Sequence, residues 1–80
     1  MKTIFVQVKC HMKKAYDVAS RVIELDGVSE VYSTSGHYDL LVKCVLDDDS
    51  DTGLYVTSKL QEVDGIQDTL TIITFNAFAV

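Results

Sequence analysis

Apolar and polar residues alternate along Lys2 to Cys10: Ile4, Val6, Val8 and Cys10 fall on one side, Thr3, Phe5, Gln7 and Lys9 on the other. A period of two predicts a strand. From Met12 to Leu25 the period changes. Ala15, Val18, Ala19, Val22 and Ile23 recur at intervals of three and four, the apolar stripe of a helix. Asp26-Gly27 closes it, glycine being the common residue just past a helix end. Val28 to Ser33 predicts a short strand and Ser35-Gly36-His37 a turn. Tyr38 to Leu46 predicts a second long strand, with Tyr38, Leu40, Val42, Cys44 and Leu46 on one face. The polar run Asp47 to Asp51 reads as a solvated loop whose Ser50 or Asp51 caps the next helix. It lacks the glycine and distal glutamate of a calcium-binding EF-hand loop. Thr52 to Val63 predicts a helix with Val56, Leu60 and Val63 inward, weakened in its first turn by Gly53 and ended by Asp64-Gly65. Ile66 to Phe78 predicts the last strand, with Leu70 and Ile72 on one face and Ile73 and Phe75 on the other.

An internal repeat organises these elements. Glu24-Leu25-Asp26-Gly27-Val28 returns as Glu62-Val63-Asp64-Gly65-Ile66, and Val8-Lys9-Cys10 returns as Val42-Lys43-Cys44. Two strand-helix-strand halves give an α+β fold of ferredoxin-like βαββαβ order: a four-stranded antiparallel sheet, order 4-1-3-2, with both helices on one face. The helices are expected to cover Ile4, Val6, Val8, Leu40, Val42, Leu70 and Ile72. The other face then carries Phe5, Leu41, Val45, Ile73 and Phe75, a contiguous apolar patch of the kind soluble monomers avoid. Covering several hundred Å² of it stabilises by several kcal/mol at about 25 cal/mol per Å², before the costs of association. A second copy of the chain is the simplest cover, with Phe5, Leu41, Ile73 and Phe75 as the expected dimer interface in an α/β sandwich or barrel.

Composition narrows the chemistry. Eighty residues allow one domain, residues 1–80. Seven basic residues against twelve acidic ones leave a net charge of −5, a field that repels phosphate backbones, so no direct nucleic-acid contact is expected. No apolar run approaches bilayer length and no signal segment precedes the first strand, so the chain reads as complete and cytoplasmic, with no membrane partner and reduced thiols. Cys10 and Cys44 are repeat equivalents at the far ends of antiparallel neighbouring strands, roughly 20 Å apart at about 3.3 Å per residue. Neither a disulfide nor a shared metal spans that distance, and no metal or cofactor is expected. His37 beside Asp39 has no evident nucleophile, so no catalytic residue is assigned. Gly36 supplies a positive φ or a close backbone approach, and its loop can present amides to a carboxylate. Asp39 either caps the turn or meets an ammonium group.

The stretch Val28-Ser-Glu-Val-Tyr-Ser-Thr-Ser-Gly-His-Tyr-Asp39, followed by Leu40-Leu-Val-Lys-Cys44, resembles the effector-binding (RAM) domain of the Lrp/AsnC transcriptional regulators. The likeness covers nearly the whole chain. Its most specific part is Gly36-His37-Tyr38-Asp39 between two strands, where the family has Gly, any residue, an aromatic, then Asp. The resemblance implies domains that pair sheet to sheet and assemble into rings such as octamers or decamers. It also implies a non-enzymatic role, with amino-acid-like effectors held where dimers meet. Ser35, Gly36, His37, Tyr38 and Asp39 become the expected effector-binding residues. Thr71 is either a pocket hydroxyl of the same site or a strand former. The family's helix-turn-helix has no counterpart here, so DNA binding is not carried over; full-length regulators of the family are possible partners through the shared sheet face. Two other readings stay open: a small dimeric ferredoxin-like enzyme, such as a monooxygenase or isomerase, and an ACT-like regulatory domain that packs side by side.

Overall fold

The computed structural model describes residues 1–79. Its elements follow the expected order: β1 (Lys2–Cys10), α1 (Ala15–Val22), β2 (Val28–Ser33), β3 (Leu40–Leu46), α2 and β4 (Ile66–Ile73). The helix α2 begins as Thr52–Tyr55 and continues as a wider-turned stretch, Val56–Leu60, in which the Gln61 amide reaches back five residues to the Val56 carbonyl at 2.9 Å. Asp51 is its cap, accepting from the Leu54 amide at 3.0 Å. All strand pairings are antiparallel, in the order β2-β3-β1-β4, the predicted order read from its other edge.

The core lies between the sheet and the two helices. Ile4, Val6, Val8, Leu40, Val42 and Cys44 from the sheet meet Val18, Val22, Val56 and Leu60, all buried. The helical stripe departs from expectation at Ile23, which is 44% exposed. It is the residue after the last helical position and points away from the Val18–Val22 line.

The repeat visible in the sequence is a repeat of hydrogen bonds. The amides of Leu25 and Val63 donate to Val22 and Leu60, and those of Val28 and Ile66 donate to Leu25 and Val63. Gly27 and Gly65 have φ of +92° and +101°, and their carbonyls accept from Val45 and His11, the residues that follow the repeat-equivalent cysteines. Each half also carries a bulge at the same place. Val28 pairs with Cys44 but Glu30 pairs with Lys43, leaving Ser29 extra; Ile66 pairs with Cys10 but Asp68 pairs with Lys9, leaving Gln67 extra.

The second bulge inverts the expected faces of β4. Ile66 packs on the core beside Cys10, but after the extra Gln67 it is Thr69, Thr71 and Ile73 that stand opposite Val8, Val6 and Ile4. Leu70 and Ile72 stand opposite Gln7 and Phe5 on the outer face, 47% and 43% exposed. A shift of one residue exchanges the faces of everything beyond it. Ile73 therefore sits on the helix side of the sheet, not with Phe5, and Phe75 lies beyond the strand. The β4 ladder stops at Ile73, opposite Ile4, while β1 continues to Lys2. One further bond, from the Thr74 hydroxyl to the Thr3 carbonyl at 2.5 Å, extends the contact. The outer face thus carries Phe5, Leu41, Val45, Tyr32, Leu70 and Ile72. A Lys43–Glu30 ion pair at 3.4 Å crosses it, with the Tyr32 hydroxyl donating to the same carboxylate.

Under the sheet, the Tyr55 hydroxyl donates to the Asp26 carbonyl at 2.6 Å and rests against the Cys44 thiol. Burial pushes the Cys44 thiol up to about 11 and the Tyr55 phenol up to about 12. Both groups are neutral when protonated, so the folded state holds their protons more tightly than the unfolded chain does. That contribution is complete below the ordinary thiol value of 9.0 and is lost as pH rises through 11. The melting temperature is expected to hold steady to about pH 9 and then fall, with Cys44→Val flattening the fall between pH 9 and 11. A wild-type curve level to pH 11 contradicts this.

Candidate functional site

The loop between β2 and β3 is fastened at its base. The Thr34 amide donates to the Asp39 carbonyl at 2.9 Å, and the Thr34 hydroxyl to the Tyr38 carbonyl at 3.1 Å. Asp39 then ties this base to β1 twice: its amide donates to the Val8 carbonyl at 2.8 Å, and its Oδ2 accepts from the Cys10 amide at 2.7 Å. β3 starts at Leu40 rather than Tyr38, and Asp39, just before it, joins the loop base to β1's end. Asp39 is accordingly a turn-fixing residue, and one carboxylate oxygen also has capacity left for a ligand. The Cys10 thiol is pushed up by burial and then by the Asp39 charge beside it.

Above this base the tip stands free. Ser35, Gly36 and His37 are exposed, and Gly36 has φ +100°. A Cβ built at Gly36 meets nothing within 4 Å, so glycine is needed here for its conformation and not for a close approach.

Two depressions flank the loop. One, about 460 Å³, is lined by Lys9, His37, Tyr38, Gln67 and Asp68. The other, about 440 Å³, lies on the far side of Asp39 and is lined by Lys9, Cys10, His11, Met12, Lys13, Ala15, Asp39 and Gln67. Lys9 and Gln67 are common to both. The bulge accounts for this: Gln67, unpaired in the ladder, turns toward the loop. Bulges are frequent beside functional sites for this reason.

Of the residues expected at the site, Ser35, Gly36, His37, Tyr38 and Asp39 form one continuous loop. Thr71 does not join them: it is half-buried opposite Val6, on the helix face and farther along β4. Of the two roles expected for Thr71, its position in the β4 ladder fits that of a strand former. Lys9, Gln67 and Asp68 were missed. The signal for them is positional, since they lie at the ends of the strands flanking the loop.

The two halves of the repeat differ in one respect here. Lys43 and Glu30, beside the first bulge, close as an ion pair. Their equivalents beside the second bulge are Lys9 and Asp68, and among the described residues Lys9 makes no ion pair; the Asp68 carboxylate turns to the Thr69 amide at 2.9 Å.

Residues 3–79 match the Lrp/AsnC ligand binding domain. This chain belongs to that family. An HTH-type transcriptional regulator of Pyrococcus horikoshii, itself uncharacterised, is 34% identical over 59 residues, which make up 74% of this chain and 39% of that protein. A counterpart in Pyrococcus abyssi matches to the same extent. The chain spans 39% of the length of these curated relatives. Among solved structures, a protein of Thermus thermophilus superposes with a TM-score of 0.90 at 30% identity, each chain covering all of the other. AsnC of Escherichia coli superposes with a TM-score of 0.87 at 25% identity, over 98% of this chain and 53% of AsnC. The Lrp/AsnC domain described here is therefore a ligand-binding module of a regulatory family, with the family's ferredoxin-like fold. No helix among the described residues is long and apolar enough to cross a membrane.

Proposed function

We propose that this Lrp/AsnC domain binds a small amino-acid-like effector at the loop Ser35–Asp39 and works as a non-enzymatic, cytoplasmic regulatory module built from dimers. The observation that carries the reading is the mounting of the loop. A free tip, open around Gly36, stands on a base fixed by Asp39 to Val8 and Cys10, beside depressions that the second bulge lines with Gln67. A preorganised loop of this kind offers backbone amides to a carboxylate and an acidic side chain to an ammonium group. The outer face of the sheet, with Phe5, Leu41, Leu70 and Ile72, is the surface a second copy would cover. Higher rings of dimers, such as octamers or decamers, and co-assembly with full-length regulators follow from the same reading. A protein of the same fold from Neisseria meningitidis was solved as a complex with L-Met; its 20% identity to this chain makes methionine one probe among the amino acids.

Asp39→Asn is the informative variant. Asparagine keeps an oxygen for the Cys10 amide and removes the charge, whereas alanine would loosen the loop base as well. The variant is expected to weaken effector binding about ten- to a hundredfold, the value of a charge-assisted hydrogen bond of roughly 1.5–3 kcal/mol, with the melting temperature within a few degrees of wild type. Calorimetric titration against the twenty amino acids measures it. Unchanged binding with a lowered melting temperature would make Asp39 purely structural and the site assignment wrong.

A further inference from the structure

The second depression, at the start of α1, has no ligand group assigned to it by the reading above. Three residues with cationic or ionisable nitrogen side chains, Lys9, His11 and Lys13, line it in a chain whose net charge is −5. Two observations single it out. First, the repeat provides an internal control. Lys43 is neutralised by Glu30 at 3.4 Å, while its equivalent Lys9 is without an ion pair among the described residues and lines both depressions. Second, Lys13 has φ +67°, the one positive value outside glycine among the described residues. At the three other left-handed positions, 27, 36 and 65, the chain uses glycine. A side chain with a Cβ is strained there, and the residue retained at a backbone cost is a cation on the wall of the depression.

We infer that the effector of this site carries a second anionic group: an amino acid with a side-chain carboxylate, whose ammonium meets Asp39 and whose extra carboxylate enters the depression between Lys9, His11 and Lys13. This rests on the proposed effector-binding reading and adds the ligand class. The two depressions are neighbours, because Lys9 and Gln67 line both, and Asp39 lines the second. The charge count agrees. Among carboxylates lining the second depression there is Asp39 alone, and it already accepts the Cys10 amide. A neutral side chain entering the depression would leave Lys9, His11 and Lys13 with Asp39 as the one lining carboxylate; a ligand carboxylate would add a second counter-charge.

The test pairs isosteres. L-glutamate against L-glutamine and L-aspartate against L-asparagine are titrated calorimetrically into wild type and into Lys13→Gly. One acidic member is expected to bind wild type at least tenfold more tightly than its amide, and the preference is expected to shrink at least threefold in Lys13→Gly and in 0.5 M salt. Lys13→Gly relieves the backbone, so its melting temperature is expected to equal or exceed wild type, which separates lost binding from lost fold. If the amides bind as tightly as the acids, or only other amino acids bind, the inference falls and the effector-binding reading stands. If no amino acid binds at all, both fall. A preference for acids that persists unchanged in Lys13→Gly also overturns the placement in this depression.

Discussion

Gly65→Ala is expected to lower the melting temperature by about 10–30 °C, at about 4–8 °C per kcal/mol for a domain of this size. Two costs combine. At φ +101° an L side chain costs roughly 1–2 kcal/mol. The new Cβ would also stand 2.7 Å from Val18 Cγ2 and 3.3 Å from Lys14 Cβ. Val18 is fully buried and cannot retreat, and overpacking of this kind adds about 1–3 kcal/mol. Gly36→Ala has a comparable φ and no neighbour within 4 Å, so it carries the first cost only and should fall by about 5–15 °C. Thermal unfolding followed by circular dichroism checks both. Equal losses at the two positions would mean that the contact between Gly65 and α1 is not as tight as described.

The second large effect concerns the outer face. Ile72→Asp is expected to dissociate the proposed dimer, raising its dissociation constant at least about a hundredfold, or about 2.7 kcal/mol. In a two-fold interface each copy brings the same change, so two uncompensated carboxylates would enter an apolar contact. Ile72 lies off the core and is 43% exposed, so the fold should survive. Ile73→Asp is the control: one residue along, it stands on the helix face opposite Ile4. Light scattering should give the chain mass of 8.9 kDa for Ile72→Asp and the parent's larger mass for Ile73→Asp. The reverse pattern would support the face order expected from simple alternation; a wild-type monomer would remove the dimer altogether.

These two residues mark where the sequence stops being legible. The order of elements, the turns at Gly27 and Gly65, a cap at Ser50 or Asp51 and the core of β1 and β3 follow from periodicity and turn chemistry, because long alternating runs and Asp-Gly pairs leave little choice; the helices themselves are shorter than the stripe predicts, α1 running Ala15–Val22 and the second ending at Leu60. The bulges do not. Ser29 and Gln67 are ordinary polar residues in polar positions, and nothing in their chemistry announces an extra residue. In β2 the consequence is small because the strand is short. In β4 it exchanged Leu70 and Ile72 with Ile73 and put Thr71 on the helix face. The loop itself was readable, since Gly36 and Asp39 have few other uses between two strands. The residues around it, Lys9, Gln67 and Asp68, come together only through register, which depends on partners far along the chain. Lys13 is of the same kind: a lysine in a helical approach gives no sign of a left-handed backbone.

Hydrogen exchange measured by mass spectrometry, with and without a saturating mixture of the twenty amino acids, tests the central claim most directly. It works at any oligomer size and reports by segment. Added protection is expected in peptides spanning 34–40, with smaller changes in 9–14 and 65–69, where the strand ends meet the loop. Exchange unchanged in 34–40, or protection confined to segments away from it such as 47–60, would contradict the assignment of this loop as the effector site.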